Sequence, residues 1–310
     1  MNPIATILEK QPILVLDGAF ATELERAGFG IHDPLWSAVA LYRRPDLVRA
    51  VHRSYLDAGA DVVTTASYQA TAAGFMEKGF SREEAETLIV RSVTLAREAR
   101  EEFLAGGIAS GRARPLVAAS VGPYGAYLAD GSEYTGDYGV SRKELAAFHR
   151  ERAALLWSAS PDLLACETVP CLLEAEALAD VLAAYPAGSA WISFSCRDGG
   201  HTCGGDAIES CAAFLDGVPQ VAAVGINCTA PDYAVFLIER IRTKTDKPVA
   251  VYPNSGEIYD PLTKTWAGSP VSYGTYIKRW KQAGARLIGG CCRTTPAHIR
   301  EVRALMKTEG

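Results

Sequence analysis

The sequence predicts an α/β fold, because short apolar segments alternate with helical patterns along the chain. Each apolar segment is almost continuously hydrophobic and closes on a polar residue or a glycine, as in 13–18 and 163–168. Such segments are typical of parallel strands that are buried on both faces. Strict alternation of strand and helix implies right-handed crossover connections. Eight units of this kind predict a (β/α)8 TIM barrel.

The predicted strands and helices follow one another without a linker or a low-complexity segment. The strands are 13–18, 61–67, 115–123, 163–168, 190–196, 223–228, 248–254 and 287–292. The helices are 45–58, 81–105, 141–158, 171–184, 206–215, 231–242, 272–283 and 296–307. An open doubly wound sheet is the alternative, but it would carry a glycine-rich phosphate loop after an early strand, which 17–22 is not. We therefore expect a single domain, residues 1–310.

Composition narrows the function classes. The 310 residues are 48% hydrophobic and 22% charged, which is ordinary for a globular protein. The net charge of -5 argues against a nucleic-acid partner and against an anionic membrane surface. The first ten residues lack the basic start and long apolar centre of a signal peptide, and no apolar run is long enough to span a membrane. A cytoplasmic location is expected.

Two adjacent cysteines end the last predicted strand, in the motif Gly-Gly-Cys-Cys at 289–292. Consecutive strand side chains point to opposite faces, so both thiols can serve one site only if the backbone turns there, and the glycines permit such a turn. Thr295 is predicted to cap a helix that starts at Pro296, whose dipole favours a thiolate. From this motif alone, a metal site, an inert buried pair, a vicinal disulfide and a redox dithiol all remain open.

Polar residues stand systematically where the predicted strands end. In a (β/α)8 barrel all the carboxyl ends of the strands meet on one face, which carries the reactive groups. The residues at these ends are Asp17, Ser67, Tyr68, Gln69, Ser120, Glu167, Asn227, Cys228, Asn254, Cys291 and Cys292. Two strands thus bring three cysteines to one mouth, and this convergence favours a shared metal ion.

Three cysteine ligands select a particular zinc chemistry. Cys228, Cys291 and Cys292 would leave one tetrahedral position of Zn²⁺ open for a substrate. Three thiolates give the centre a formal charge of -1, so it is a poor activator of water. It can still displace the proton of an incoming thiol, whose pKa is about 8.5, and keep the bound sulfur electron-rich. This pattern predicts attack by a substrate thiolate on an alkyl donor.

Other metal chemistry fits the sequence less well. Nucleobase deaminases also use three-cysteine zinc, but with His-x-Glu and Pro-Cys-x-x-Cys motifs. Here Pro170 and Cys171 are followed by Leu172, Leu173 and Glu174, so that signature is absent. His201, just beyond the fifth strand, is interpreted as a solvated loop histidine.

Four strand-end motifs resemble the homocysteine S-methyltransferase family over nearly the whole chain. They are Asp-Gly at 17–18, Glu-Thr at 167–168, Ile-Asn-Cys at 226–228 and Gly-Gly-Cys-Cys at 289–292. The stretches 65–71, 120–134 and 251–257 are similar to the bacterial and plant branch that uses S-methylmethionine. The resemblance implies zinc-dependent methyl transfer from S-methylmethionine, and secondarily from S-adenosylmethionine, to L-homocysteine, which forms methionine.

The resemblance also implies roles for particular residues. Cys228, Cys291 and Cys292 would hold zinc, with the homocysteine thiolate as the fourth ligand. Asp17 and Glu167 would hold the homocysteine ammonium group, and paired carboxylates suit a cation. Backbone amides after Gly18, including that of Phe20, would also contact homocysteine, as would Ser120, Asn227 and Asn254. When substrate is absent, Asn254 could take the fourth zinc position. Asp17 or Glu167 could alternatively cap the next helix.

A sulfonium donor predicts an aromatic lining. Trp36 and Tyr68 are the candidates, with Gln69 beside them, and 121–138 is interpreted as a loop that covers the site. Direct transfer needs no cobalamin module, so the expected partners are small molecules only. Another methyl donor, such as betaine or a folate, is one rival. A thiol sensor or zinc-buffering protein, in which Cys291 and Cys292 cycle between dithiol and disulfide, is the other.

Overall fold

The computed structural model describes residues 2–31, 33, 35–107, 112–260 and 265–307. Eight parallel strands form one sheet in the order β1-β10-β7-β6-β5-β4-β3-β2. They are β1 (Leu14–Val15), β2 (Val62–Thr64), β3 (Leu116–Val121), β4 (Leu163–Val169), β5 (Ala190–Phe194), β6 (Val221–Asn227), β7 (Val249–Tyr252) and β10 (Ala285–Ile288). A separate antiparallel hairpin joins β8 (Ile258–Asp260) to β9 (Thr265–Ala267). The predicted (β/α)8 TIM barrel is confirmed.

The helices surround the strands. They are α1 (Pro3–Leu8), α2 (Phe20–Arg26), α3 (Ala40–Arg43), α4 (Pro45–Ala58), α5 (Ala72–Glu77), α6 (Arg82–Ala105), α7 (Tyr124–Leu128), α8 (Arg142–Ser158), α9 (Leu172–Leu182), α10 (Ile208–Asp216), α11 (Ala234–Arg242), α12 (Tyr273–Ala283) and α13 (Pro296–Lys307). Capping boxes at Ser81 and Ser141 start α6 and α8, at the positions where the predicted helices 81–105 and 141–158 begin. Within the described part of the chain, no helix is long and apolar enough to cross a membrane.

Each strand divides its side chains between two cores. The residues that point into the barrel, such as Leu163, Ala165 and Trp191, form an inner cluster. Their neighbours, such as Leu164 and Ile192, pack outward against the helices. Because side chains alternate along a strand, the inner positions of β4 continue from Leu163 and Ala165 to Glu167. In other strands, the same alternation places polar residues at inner positions near the mouth.

The structure differs from the sequence prediction in its short elements. The β8–β9 hairpin and helices α2, α3, α5 and α7 were not predicted. The predicted helix 231–242 is a 3-10 turn, Pro231–Tyr233, followed by α11. These elements are three to seven residues long apart from α11, and segments of that length carry little hydrophobic periodicity. None of them alters the order of the barrel.

Asp61 bonds across the seam between β1 and β2, the first and last strands of the sheet order. Its backbone N–H donates to the Val15 carbonyl at 2.7 Å, and its Oδ2 accepts the Val15 N–H at 3.0 Å. Its Oδ1 accepts a hydrogen bond from Arg303 of α13, whose Nε also donates to the Gly59 carbonyl at 2.9 Å. The carboxylate of Asp61, which is fully buried, therefore ties β1, β2 and the last helix together.

Replacing Asp61 by alanine tests this closure. The Asp61→Ala variant leaves the Arg303 guanidinium and the Val15 N–H without their partner, so we expect a loss of about 3–5 kcal/mol in unfolding free energy. For a chain of this size that is a fall of about 5–7 °C in Tm by calorimetry. Asp57→Ala removes an exposed carboxylate paired with Arg53 and serves as the control, with little change expected. Equal Tm values for the two variants would contradict the role of Asp61.

Candidate active site

Three thiols meet at the mouth of the barrel. Cys228 follows β6, and Cys291 and Cys292 follow β10. The Cys228 and Cys292 Sγ atoms are 3.7 Å apart, the Cys291 and Cys292 Sγ atoms are 4.0 Å apart, and all three lie within 4.8 Å of one another. Sulfurs on a tetrahedral zinc, each about 2.3 Å from the metal, would be about 3.8 Å apart. The cluster therefore has the dimensions of a three-sulfur metal site, and all three cysteines are free thiols.

Backbone geometry at two turns aims these thiols. Cys228 has φ +49°, in the left-handed region that costs a non-glycine residue free energy. The two glycines before Cys291 relieve steric crowding at the turn, as predicted, and neither has a positive φ. A Cβ at Gly289 would lie 2.5 Å from Leu16 Cβ, and one at Gly290 would lie 2.4 Å from Thr294 Oγ1. Close approach of β1 and of the following turn requires glycine here.

The turn after β10 is held by hydrogen bonds. The Cys291 N–H donates to the Pro253 carbonyl at 2.8 Å, and the Thr294 hydroxyl donates to the Cys291 carbonyl at 2.6 Å. The Ser255 N–H donates to the Cys292 carbonyl at 3.0 Å. The neighbouring Cys291 thiol and burial raise the pKa of Cys228 well above its usual range, although the hydrogen bond with Cys292 lowers it. A cation, rather than a helix dipole, would thus be needed to keep all three groups as thiolates.

Asp17, which follows β1, is a buried carboxylate, and Glu167, near the end of β4, is a partly buried one. Asp17 accepts hydrogen bonds from the Thr64 N–H at 2.7 Å and the Thr64 hydroxyl at 3.0 Å. Burial raises the pKa of Asp17 to about 8; the charge of Glu167 also raises it, and the Thr64 hydrogen bonds lower it. Burial raises the pKa of Glu167 to about 7, although a hydrogen bond from Ser120 at 2.5 Å lowers it. Both environments suit a bound cation, which would restore both charges.

Asn227 links the ends of two strands. Its Oδ1 accepts hydrogen bonds from the Thr168 N–H at 2.7 Å and the Ser193 hydroxyl at 2.8 Å, and its Nδ2 donates to Thr168 Oγ1 at 2.8 Å. Thr168 has φ +60°, so Asn227 stabilises an unfavourable backbone conformation beside Glu167. The Asn227 Nδ2 also lies 4.0 Å from the Cys291 Sγ. The amide thereby joins the carboxylate side of the mouth to the thiol side.

The segment after β1 leads directly into α2. The Ala19 N–H donates to Thr294 Oγ1 at 3.2 Å, and a Cβ at Gly18 would lie 2.9 Å from the same oxygen. No side chain caps the amino end of α2, which begins at Phe20. The Phe20 ring packs against His52 at a centroid distance of 5.0 Å. Phe20 is thus placed to offer its backbone amide to a ligand while its ring packs with the surrounding helices.

The predicted aromatic pair is close together. Trp36 and Tyr68 have ring centroids 5.9 Å apart in an edge-to-face arrangement. Gln69 donates from Nε2 to the Ala126 carbonyl at 2.7 Å. The Oε1 of Gln69 and the Oδ1 of Asn254 are buried and find no partner among the described residues. Asn254 is held by its backbone N–H, which donates to the Thr229 carbonyl at 3.1 Å.

Two functional candidates were not predicted individually. The Tyr134 hydroxyl lies 3.4 Å from the Cys228 Sγ, and Glu133 has a buried Oε2 with no partner among the described side chains. Both belong to 123–138, which we call the covering segment. A Cβ at Gly125 would lie 2.3 Å from the Glu133 N, so that glycine lets α7 pack on the turn that carries both residues. The interpretation of 121–138 as a loop over the site did not identify which residue reaches the thiols.

His201 pairs with Asp198 through Nδ1 at 3.0 Å and is exposed. The described residues give one group of cysteine, histidine and carboxylate side chains spaced for a metal, and it is the three-thiol cluster. The interpretation of His201 as a solvated loop residue agrees with this placement.

A buried carboxylate with a raised pKa costs stability, and Asp17→Asn should remove that cost. Between a pKa of about 3.9 for an unfolded aspartate and about 8 in the folded chain, the folded state binds more protons, so stability falls as pH rises. We expect metal-free Asp17→Asn to melt at least about 3 °C above the parent at pH 9, for about 2 kcal/mol relieved, and to show little gain at pH 4. Thermal melts across pH measure this. The same gain at both pH values would contradict the assignment.

Comparison with known proteins agrees with this geometry. The profile of the homocysteine S-methyltransferase family matches residues 14–306. Homocysteine S-methyltransferase YbgG of Bacillus subtilis (strain 168) is 52% identical over 307 residues, which are 98% of each chain, and an Escherichia coli (strain K12) homocysteine S-methyltransferase is 51% identical over 98% of each chain. The metallated form of the Escherichia coli homocysteine methyltransferase MmuM superposes with a TM-score of 0.89 at 49% identity, over 98% of this chain and 100% of that one. The chain therefore belongs to the homocysteine S-methyltransferase family.

Proposed function

We propose that this protein transfers a methyl group from S-methylmethionine, and secondarily from S-adenosylmethionine, to the thiolate of L-homocysteine, with Zn²⁺ as its metal. The observation that carries the proposal is the cluster of three thiols within 4.8 Å of one another, at a mouth that also holds two carboxylates with raised pKa values. The family assignment supports homocysteine as the acceptor. The chain would act as one homocysteine-binding barrel in the cytoplasm, where a reducing environment keeps the three thiols free.

The donor set fits zinc. Cys228, Cys291 and Cys292 supply soft sulfur ligands, and one of the structures similar to this chain is a metallated form. When bound, Zn²⁺ on three thiolates would lower the pKa of the homocysteine thiol and leave its sulfur nucleophilic. The choice of three cysteines over neutral histidines therefore favours thiol alkylation over water activation.

The rest of the mouth would orient homocysteine. Its ammonium group would sit between Asp17 and Glu167, whose carboxylates would gain a cationic partner, and Ser120 would hold Glu167 in place. Its carboxylate would reach the backbone amides between Gly18 and Phe20 at the start of α2. Asn254 has an unpaired buried oxygen that could approach the thiol side. Held at both ends, the substrate presents its sulfur to the mouth.

The donor would enter on the aromatic side. The faces of Trp36 and Tyr68 would stabilise the sulfonium charge, with the buried amide oxygen of Gln69 next to them. The covering segment would exclude water, because Tyr134 already reaches Cys228. Transfer requires the S–CH3 bond of the donor to break as the new S–CH3 bond forms, with donor and acceptor sulfurs in line. The leaving thioether is neutral, and no cobalamin module is needed.

Zinc content measured together with methionine production tests the proposal. We expect one zinc per chain in the parent and methionine from homocysteine with S-methylmethionine above S-adenosylmethionine. Cys228→Ala, Cys291→Ala and Cys292→Ala should each lower both zinc content and turnover by at least about tenfold. Cys203→Ala, a partly buried cysteine outside the cluster, is the matched control and should keep both.

Three results would overturn the proposal. Full zinc content in all three cluster variants would remove these residues as ligands. Methionine formed from betaine or a folate, with none from the sulfonium donors, would change the donor. No homocysteine-dependent methionine with any donor would favour the thiol-sensor or zinc-buffering alternative.

A further inference from the structure

A chain of three buried polar residues lies behind the covering segment. We call Glu174, His149 and Arg152 the anchoring triad; their exposed fractions are 0%, 0% and 3%. Glu174 belongs to α9, and His149 and Arg152 belong to α8. No side chain of the triad has a described hydrogen bond to the thiol cluster, Asp17 or Glu167. The function proposed above leaves these three residues without a role.

Glu174 holds both ends of the covering segment. Its Oε1 accepts the backbone N–H of Tyr124 at 2.6 Å, where the segment begins. Its Oε2 accepts the hydroxyl of Tyr138 at 3.0 Å, where the segment ends. A buried carboxylate with acceptor bonds to two points 14 residues apart restricts the loop between them.

Arg152 bonds to the backbone at the adjacent part of the mouth, where β2 and β3 end. Its Nη1 donates to the backbone carbonyl of Tyr68 at 3.2 Å, and its Nη2 donates to the Gly122 carbonyl. These two carbonyls follow β2 and β3. A Cβ at Gly122 would lie 2.5 Å from the Tyr68 carbonyl oxygen, so the two strand ends are in close contact and the guanidinium joins them.

His149 connects the two anchors in one tautomer. Arg152 is only a donor, so its Nη2, 3.1 Å from His149 Nδ1, requires that nitrogen to accept. The Nε2 of His149 then carries the proton and donates to Glu174 Oε1 at 2.8 Å. Burial lowers the pKa of His149, in agreement with a neutral ring. The triad is a continuous hydrogen-bonded path from the Tyr68 wall to the covering segment.

A buried polar network of this kind costs more free energy to form than apolar packing of the same volume. Buried ion pairs often add less stability than apolar side chains of similar volume, because both charges lose their hydration. What the triad supplies is fixed geometry at two places: Tyr68, whose ring meets Trp36, and the covering segment, whose Tyr134 meets Cys228. Both places border the side of the mouth assigned above to the methyl donor.

We infer that the anchoring triad positions the donor side of the site, acting through Tyr68 and the covering segment. Its members are positioning residues, because they touch neither the thiols nor the carboxylates that would hold homocysteine. The assignment of this wall to the donor rests on the proposed function. Loss of the triad should therefore weaken use of the donor while leaving homocysteine and zinc binding intact.

Steady-state kinetics of Arg152→Met and Arg152→Lys tests the inference. We expect the KM for S-methylmethionine to rise at least tenfold in Arg152→Met and by an intermediate factor in Arg152→Lys, which keeps the charge and can reach one carbonyl. The KM for homocysteine and the zinc content should stay within twofold of the parent. Tyr138→Phe removes one hydrogen bond to Glu174 and should raise the KM for S-methylmethionine by a smaller factor. This second variant tests the inference if Arg152→Met does not fold.

Arg100→Lys is the matched control. Arg100 is also a buried arginine, paired with Asp162 at 2.5 Å, but it bonds the Pro115 carbonyl before β3, at the opposite end of the strands. Arg100→Lys should change the Tm, but it should leave the ratio of the KM for S-methylmethionine to the KM for homocysteine unchanged. An Arg152 or Tyr138 variant whose donor and homocysteine KM values move together, as in the control, would overturn the inference.

Hydrogen exchange separates failure of this inference from failure of the proposed function. In Arg152→Met and Tyr138→Phe holoenzyme, amides of the covering segment should exchange at least tenfold faster, while those of α6 keep the parent rates. This readout needs no donor. Unchanged exchange in the covering segment would overturn the inference even if S-methylmethionine is the donor, and faster exchange would support the anchoring role even if another compound is.

Discussion

Convergence of three thiols on a volume that fits one metal ion is the constraint on which the rest of this molecule depends. Cys228 and the Cys291–Cys292 pair come from strands separated by β7, and their Sγ atoms still lie within 4.8 Å. A left-handed residue at Cys228 and two crowded glycines before Cys291 are needed for this arrangement. The barrel supplies the framework, because it brings the carboxyl ends of all its strands to one mouth.

Charge organises the mouth around that cluster. Desolvation raises the pKa values of Asp17 and Glu167, and a bound cation would offset that cost. On the other side, aromatic rings and a tyrosine-rich cover lie beside the thiols. Under the proposed function, a zwitterionic thiol and a sulfonium would each meet a complementary side of the mouth.

The sequence pattern predicted the fold and the positions of the reactive groups at the strand ends. It did not predict the contacts that these groups make. Apolar strands and capped helices produce sequence patterns that extend over many residues. The barrel and the ends of α4 and α6 were therefore predictable. Strand ends converge in any such barrel, which made Cys228 with Cys291 and Cys292 predictable as a group. The neighbour that crowds Gly289 was not predictable, because contact with Leu16 depends on the packing of β1 and not on local sequence. Tyr134 and the anchoring triad depend on how a loop folds back, which local periodicity does not encode.

The three-thiol zinc site can be tested by X-ray absorption at the zinc edge, recorded before and after homocysteine is added to the metal-loaded protein. We expect three sulfur neighbours about 2.3 Å from zinc without substrate and four with it. A sulfur count that stays at three when homocysteine is bound, or a first shell dominated by nitrogen and oxygen, would contradict it.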